Sequence, residues 1–183
     1  MRRFYLVTSN PRKLKEWQAI VPSHIQFDTL DLDLVEIQSG DPQEIVVDKV
    51  KRAYERVGKP VVVEDVSAGL EKLGGLPGPF VKYFMKQLGH DAFYKLAGGE
   101  GEKATLSCAI AYYDGDEVMT VTAGICGTIV APRGRDTPSF DMTFVPDGET
   151  ETFAEMSLEK KNSLSHRNKA IHLFVEEMSR RDM

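Results

Sequence analysis

The chain has 183 residues, 42% of them hydrophobic and 28% charged, and carries a net charge of −5. That length suffices to bury a sizeable core as one domain, or as one domain with a lobe. The acidic balance excludes a surface built as a whole for a nucleic-acid backbone, so any bound anion has to meet a local group of bases, as a small phosphorylated ligand would.

Residues 4–7 form a short apolar run, apt for a buried strand. Asn10 follows as a helix cap with Pro11 in the first helical position. Leu14, Trp17, Ile20 and Val21 then recur at helical spacing. A helix start exposes unpaired N–H groups and about half a positive charge, so anions settle there. Thr8, Ser9 and Asn10 add side-chain donors, and Lys13 lies one turn along. The stretch reads either as a phosphate site or as an ordinary capped helix with solvated bases. It is not a Walker A loop, because G-x-x-x-x-G-K-[ST] does not occur.

A second strand is expected over residues 25–30, then an acidic connection over 31–40 that carries Glu36. Asp41-Pro42 starts another helix, whose period is marked by Ile45, Val46, Lys49, Val50, Ala53 and Tyr54. The apolar run 61–63 is read as a strand ending in Glu64-Asp65. Carboxylates just past a buried parallel strand sit where α/β sheets bind ligands. Two adjacent acids on an extended strand cannot face the same way, so one can bind a metal while the other orients a neighbour. Glu16 and Glu36 could join them. Such oxygen ligands favour magnesium or manganese over zinc, and solvated loop acids are the alternative.

Residues 74–79 make a turn-rich loop ahead of a helix bearing Phe80, Tyr83, Phe84 and Leu88, aromatics that suit a core or a subunit contact. Glycines at 98, 99 and 101 mark a surface turn. Strands over 104–113 and 117–131, joined by Asp114-Gly115-Asp116, form a hairpin, and 132–146 reads as a loop region. Cys108 and Cys126, without C-x-x-C spacing and among apolar neighbours, are expected to be reduced and buried. A final helix runs from about 166 to 180, capped by Ser165, with His166 and Arg167 in its first turn and Lys160 and Lys161 just before. Cations there oppose the helix dipole at a cost of roughly 0.3–1 kcal/mol, which a bound anion or a base with acceptor atoms would offset; a basic surface turn is the plain alternative. Helix–strand alternation followed by a hairpin predicts a mixed α/β sheet, part of it antiparallel. With no apolar run of 18 residues and no signal-peptide core, the expected location is cytoplasmic, with no membrane partner.

Taken in order, several stretches resemble the inosine triphosphate pyrophosphatase family: T-S-N-P-R-K-L-K-E at 8–16, V-E-D at 63–65, L-G-G-L-P-G-P at 73–79, I-V-A-P-R-G at 129–134, F-V-P-D-G at 144–148, T-F-A-E-M at 152–156 and K-N-S-L-S-H-R at 161–167. The resemblance covers nearly the whole chain as a single nucleoside-triphosphate pyrophosphatase domain, 1–183. It implies an elongated α/β fold, a mixed sheet flanked by helices, with two lobes, a central nucleotide-binding cleft and usually a homodimer. The implied reaction turns a non-standard purine nucleoside triphosphate (ITP, dITP or XTP) and water into the monophosphate and pyrophosphate, with Mg2+, or Mn2+ in its place, as cofactor. Thr8, Ser9, Asn10 and Lys13 would then hold the triphosphate with Lys49. Glu36, Asp65 and Glu64 would form the metal set, Asp65 also acting near the attacking water with Lys13 and Lys49. Phe140, Asp141, Lys161, His166 and Arg167 would bind the base. Two departures stand out: Pro138-Ser139-Phe140-Asp141-Met142 lacks the family's first aromatic and its glycine, and Val66 replaces a hydroxyl residue. Both bear on base preference, so a shifted base preference, or a nucleotide-binding protein without turnover, are the rival readings.

Overall fold

A computed structural model describes residues 3–135 and 139–181. The first helix begins as its sequence dictates. Asn10 takes an extended backbone, its side chain accepts from the Arg12 backbone N–H, and Pro11 opens α1 (Pro11–Ile20). Strand β1 (Arg3–Val7) precedes it, and β2 (Gln26–Leu30) returns beside β1 in parallel, Phe4 opposite Phe27. Helix α2 (Pro42–Val57) is built by the same rules: Asp41 caps its start and Gly58, at φ 63°, ends it in the left-handed region. Strand β3 (Val61–Leu70) then lies parallel to β1.

Short strand β4 (Pro77–Gly78) folds back antiparallel onto β3, and helices α3 (Val81–Leu88) and α4 (Ala92–Ala97) follow. Strands β5 (Lys103–Tyr113) and β6 (Val118–Ile129) are neighbours in the sheet, and β7 (Phe144–Pro146) pairs antiparallel with β6. Helices α5 (Leu158–Leu164) and α6 (His166–Arg180) close the chain. The seven strands run β2-β1-β3-β5-β6-β7, with β4 on β3, which is the mixed α/β sheet expected. Among the described residues, no helix is long and apolar enough to cross a membrane.

The chain divides into two compact units. The first comprises the described residues of Met1–Asp65, Cys108–Ala123 and Arg167–Met183. Its core joins Val46, Val50 and Ala53 of α2 to Val61 and Val63 of β3 and to Ala109 and Ala111 of β5. A second apolar group there is aromatic: Trp17 meets Phe4, Phe27 and Phe174 with ring centroids 5.4–6.3 Å apart, all edge-on. The second unit comprises the described residues of Val66–Ser107 and Gly124–His166. It packs Phe93, Leu106, Ile129, Phe140, Phe144 and Phe153 into its own core.

Three expectations need correction, and a fourth, core or subunit contact for the α3 aromatics, is narrowed. Strand β3 does not stop at Val63 but continues to Leu70, so Glu64 and Asp65 lie within a strand rather than past its end. The region 132–146 is not all loop, since it contains a 3₁₀ turn at Phe140–Met142 and the strand β7. Cys108 is buried but Cys126 is exposed, because inward positions Ile125, Gly127 and Ile129 alternate with it along β6. Tyr83 and Phe84 are exposed on α3 rather than in the core. Pro138, in the loop that departs from the family pattern, lies outside the described residues.

Candidate active site

Helical spacing on α1 does the first part of the assembly. Lys13, Glu16 and Trp17 stand at i, i+3 and i+4 and share a face. Strand β3 aims Glu64 at that face, while Asp65, its neighbour, points the other way and stays half-buried. The opposed orientation is the one expected for adjacent strand residues.

Glu64 is 2% exposed and both its oxygens are engaged. Oε1 receives Lys13 Nζ at 3.0 Å and Arg167 Nε at 2.9 Å. Oε2 accepts the Trp17 indole N–H at 2.7 Å. Arg167 Nη1 reaches Glu16 Oε2 at 2.6 Å, which closes the set. Two cations thus face two carboxylates inside one unit, with the indole as a neutral donor. A buried pair of this kind is tolerated only with such full bonding. Burial pushes the Glu64 carboxyl up, but Arg167 and Lys13 outweigh it and hold it far below the usual carboxylate range. Burial likewise lowers the Arg167 guanidinium, and Glu64 and Glu16 more than reverse this. The Cys108 thiol is driven up by its burial and then by Glu64, so it stays protonated and inert.

The first unit holds a second pair: Lys49 Nζ lies 2.7 Å from Glu36 Oε1, both largely buried. Ahead of α1, Thr8 Oγ1 accepts the Asn10 N–H at 3.1 Å and the Thr8 N–H bonds Leu30 O at 2.9 Å, while Ser9 is exposed. These bonds, with the Asn10 cap on the Arg12 N–H, fix the turn that leads into α1.

The other predicted base-binding residues gather in the second unit. Asp141, 5% exposed, binds Lys161 Nζ through Oδ2 at 2.6 Å. That amine also lies 5.6 Å from the centre of the Phe153 ring. Phe140 packs on Phe93 and stands 6.2 Å from the buried His166 ring.

A magnesium ion suits part of the predicted metal set. Glu36 and Asp65 offer hard oxygens, and magnesium is commonly held by one or two carboxylates together with waters and substrate phosphates. Glu64 fits less well, because its oxygens already serve two cations and an indole. Among the described residues, no three His, Cys, Asp or Glu side chains converge as a metal cage.

The structure brings Lys13, Glu64 and Arg167 together, and Glu36 with Lys49. It commits Arg167 to two carboxylates, partners 151 and 103 residues away in sequence, which no local pattern announces. Trp17, read from its spacing as a core residue, also acts as a polar partner. The usable signal was general: a fully buried tryptophan seeks an acceptor for its N–H.

A mixed sheet flanked by capped helices places the chain in the α/β class. Within that class the chain belongs to the Ham1 family, whose model matches residues 4–177. It is 46% identical to the inosine triphosphate pyrophosphatase of Yarrowia lipolytica over 169 residues, covering 90% of this chain and 89% of that one. Inosine triphosphate pyrophosphatase 1 of Trypanosoma cruzi is 41% identical over 170 residues, covering 91% and 87%. The Ham1 protein of Staphylococcus aureus shares the fold with a TM-score of 0.84 at 22% identity, over 97% of this chain and 98% of that one. The resemblance read from the motifs is borne out.

Proposed function

We propose that this chain is a hydrolase that cuts non-standard purine nucleoside triphosphates, ITP, dITP and XTP, into the monophosphate and pyrophosphate. Relatives at 46% and 41% identity that carry the name inosine triphosphate pyrophosphatase support the reaction class. The observation that carries the reading is Lys13, held at 3.0 Å by buried Glu64 one turn inside the capped start of α1. A phosphate chain meeting that helix start would find backbone N–H groups, Thr8, Ser9 and Asn10, and an amine already oriented.

The division of labour follows from the chemistry. Lys13 and Lys49 take the charge that grows on the α-phosphate and on departing pyrophosphate. Asp65 orients the attacking water and accepts its proton. Glu36 and Asp65 would hold a divalent cation, magnesium or manganese, while Glu64 anchors Lys13. When bound, that cation neutralises phosphate oxygens and aligns the triphosphate. Phe140, Asp141, Lys161 and His166 bind the base. Arg167 uses two N–H donors on Glu64 and Glu16, and its remaining donors suit a 6-oxo group, which adenine lacks. The protein works in the cytoplasm as a homodimer, and the exposed Tyr83, Phe84 and Leu88 of α3 support a subunit contact there.

Asp65→Asn tests the assignment. Turnover of ITP should fall by at least about a hundredfold, on the scale of a lost general base, while ITP still binds. Near-normal turnover in that variant would remove Asp65 from the mechanism.

A further inference from the structure

We infer that Trp17 is a positioning residue for the phosphate-binding amine, acting through its indole N–H rather than through packing alone. The inference rests on the reading that Lys13 binds the triphosphate. Trp17 is fully buried and is the chain's single tryptophan. Three rings fix its plane: Phe4 at 6.3 Å and 73°, Phe27 at 6.1 Å and 68°, and Phe174 at 5.4 Å and 66°. So held, the indole directs its N–H at Glu64 Oε2 from 2.7 Å.

The consequence lies on the other oxygen. With Oε2 tied, the carboxylate cannot rotate about its last bond, and Oε1 stays where it meets Lys13 at 3.0 Å and Arg167 at 2.9 Å. Glu16 holds Arg167 from behind at 2.6 Å, so the guanidinium cannot follow a moving Glu64. Remove the indole N–H and Oε2 becomes a buried acceptor without its donor. Glu64 would then turn to share Arg167 or Lys13 between its oxygens. Lys13 would lose its single placement, and the phosphate site its preorganisation.

Two variants separate the N–H from the ring. Trp17→Phe keeps an aromatic among the three neighbours but loses the donor. Because the chain has one tryptophan, growth on a benzothienyl analogue replaces that indole alone, exchanging N–H for sulfur at almost the same shape. Growth on 4-fluorotryptophan keeps the N–H as the control. The first measurement needs no nucleotide: acylation of Lys13 by an amine reagent, mapped by peptide mass at fixed pH. Both N–H-less proteins should label Lys13 several times faster than wild type and the fluorinated control, with Lys49 unchanged. Equal Lys13 labelling in all four overturns the inference. The second is a cycle with Lys13→Ala, read as Kd for the α,β-imido analogue of ITP. Trp17→Phe should weaken binding about tenfold in the wild-type background and have little effect once Lys13 is gone. Effects that simply add would show Trp17 acting on fold stability alone and overturn the inference. A wild-type protein that neither binds the analogue nor releases pyrophosphate sinks the proposed function instead, and the labelling result still decides the role of Trp17.

Discussion

At the residue scale, the outcome turns on Glu64. One carboxylate is bonded by Lys13, Arg167 and Trp17 at 2.7–3.0 Å while almost completely shielded from water. Its ordinary carboxylate pKa is 4.5, and the folded protein holds it well below that. The sign follows from linkage: a depressed folded pKa contributes stability that is fully present above the unfolded value and is lost as pH falls towards the folded one. Stability should therefore fall as pH drops below about 4.5, with this group steepening the acid slope. Glu64→Gln should be less stable near neutral pH and show a shallower acid slope, as urea unfolding at several pH values would reveal. An unchanged slope would mean that Glu64 is not charged and paired in the fold. The capped start at Asn10 and the nearness of Lys13 to it were legible in sequence, because local rules govern both. The partners of Glu64 were not, since Arg167 lies 103 positions away and only the fold brings it near.

Elements tell a similar story. Helices α1 and α2 were readable because Asn10-Pro11 and Asp41-Pro42 combine a cap with a proline in the first turn. The full length of β3 was hidden, because the apolar run ends at Val63 and acidic and small residues follow it. Gly69 within it allows a close approach, since a Cβ on it would lie 2.0 Å from the Gly75 carbonyl oxygen. Strand β7 escaped notice because it has three residues and draws its regularity from pairing with β6. Gly127 on β6 is the matching close approach. A Cβ there would stand 2.3 Å from Val145 O and 2.4 Å from the Phe144 ring. Gly127→Ala should cost about 1–3 kcal/mol as overpacking and lower Tm by roughly 2–12 °C, as calorimetry would show. No shift in Tm would mean that β7 yields easily and does not depend on that fit. Cys126 was misread for want of register: alternation along β6 turns it outward, whereas its apolar neighbours suggested burial.

On the scale of the whole molecule, the net charge of −5 argues against a generally cationic surface, and the basic groups of interest are each held by a carboxylate: Lys13 by Glu64, Lys49 by Glu36, Lys161 by Asp141, Arg167 by Glu16 and Glu64. Such pairing orients amines that would otherwise move freely, so under the proposed function a polyphosphate with its cation would exchange partners with Lys13 and Lys49 rather than enter an empty positive field. The family was readable from motif order, because the stretches carrying it are spread along most of the chain, and the mixed sheet from strand–helix alternation followed by a hairpin. The surroundings of the departing loop were less readable, since Phe140 packs on Phe93 and stands near His166, residues of other segments.

The most direct measurement is pyrophosphate release from ITP, dITP, XTP, ATP, GTP and dUTP, each with magnesium and again after its removal by chelation. The account predicts turnover of the first three, little of the others, and none without the divalent ion. Equal rates on ITP and ATP, or undiminished release after chelation, would contradict it.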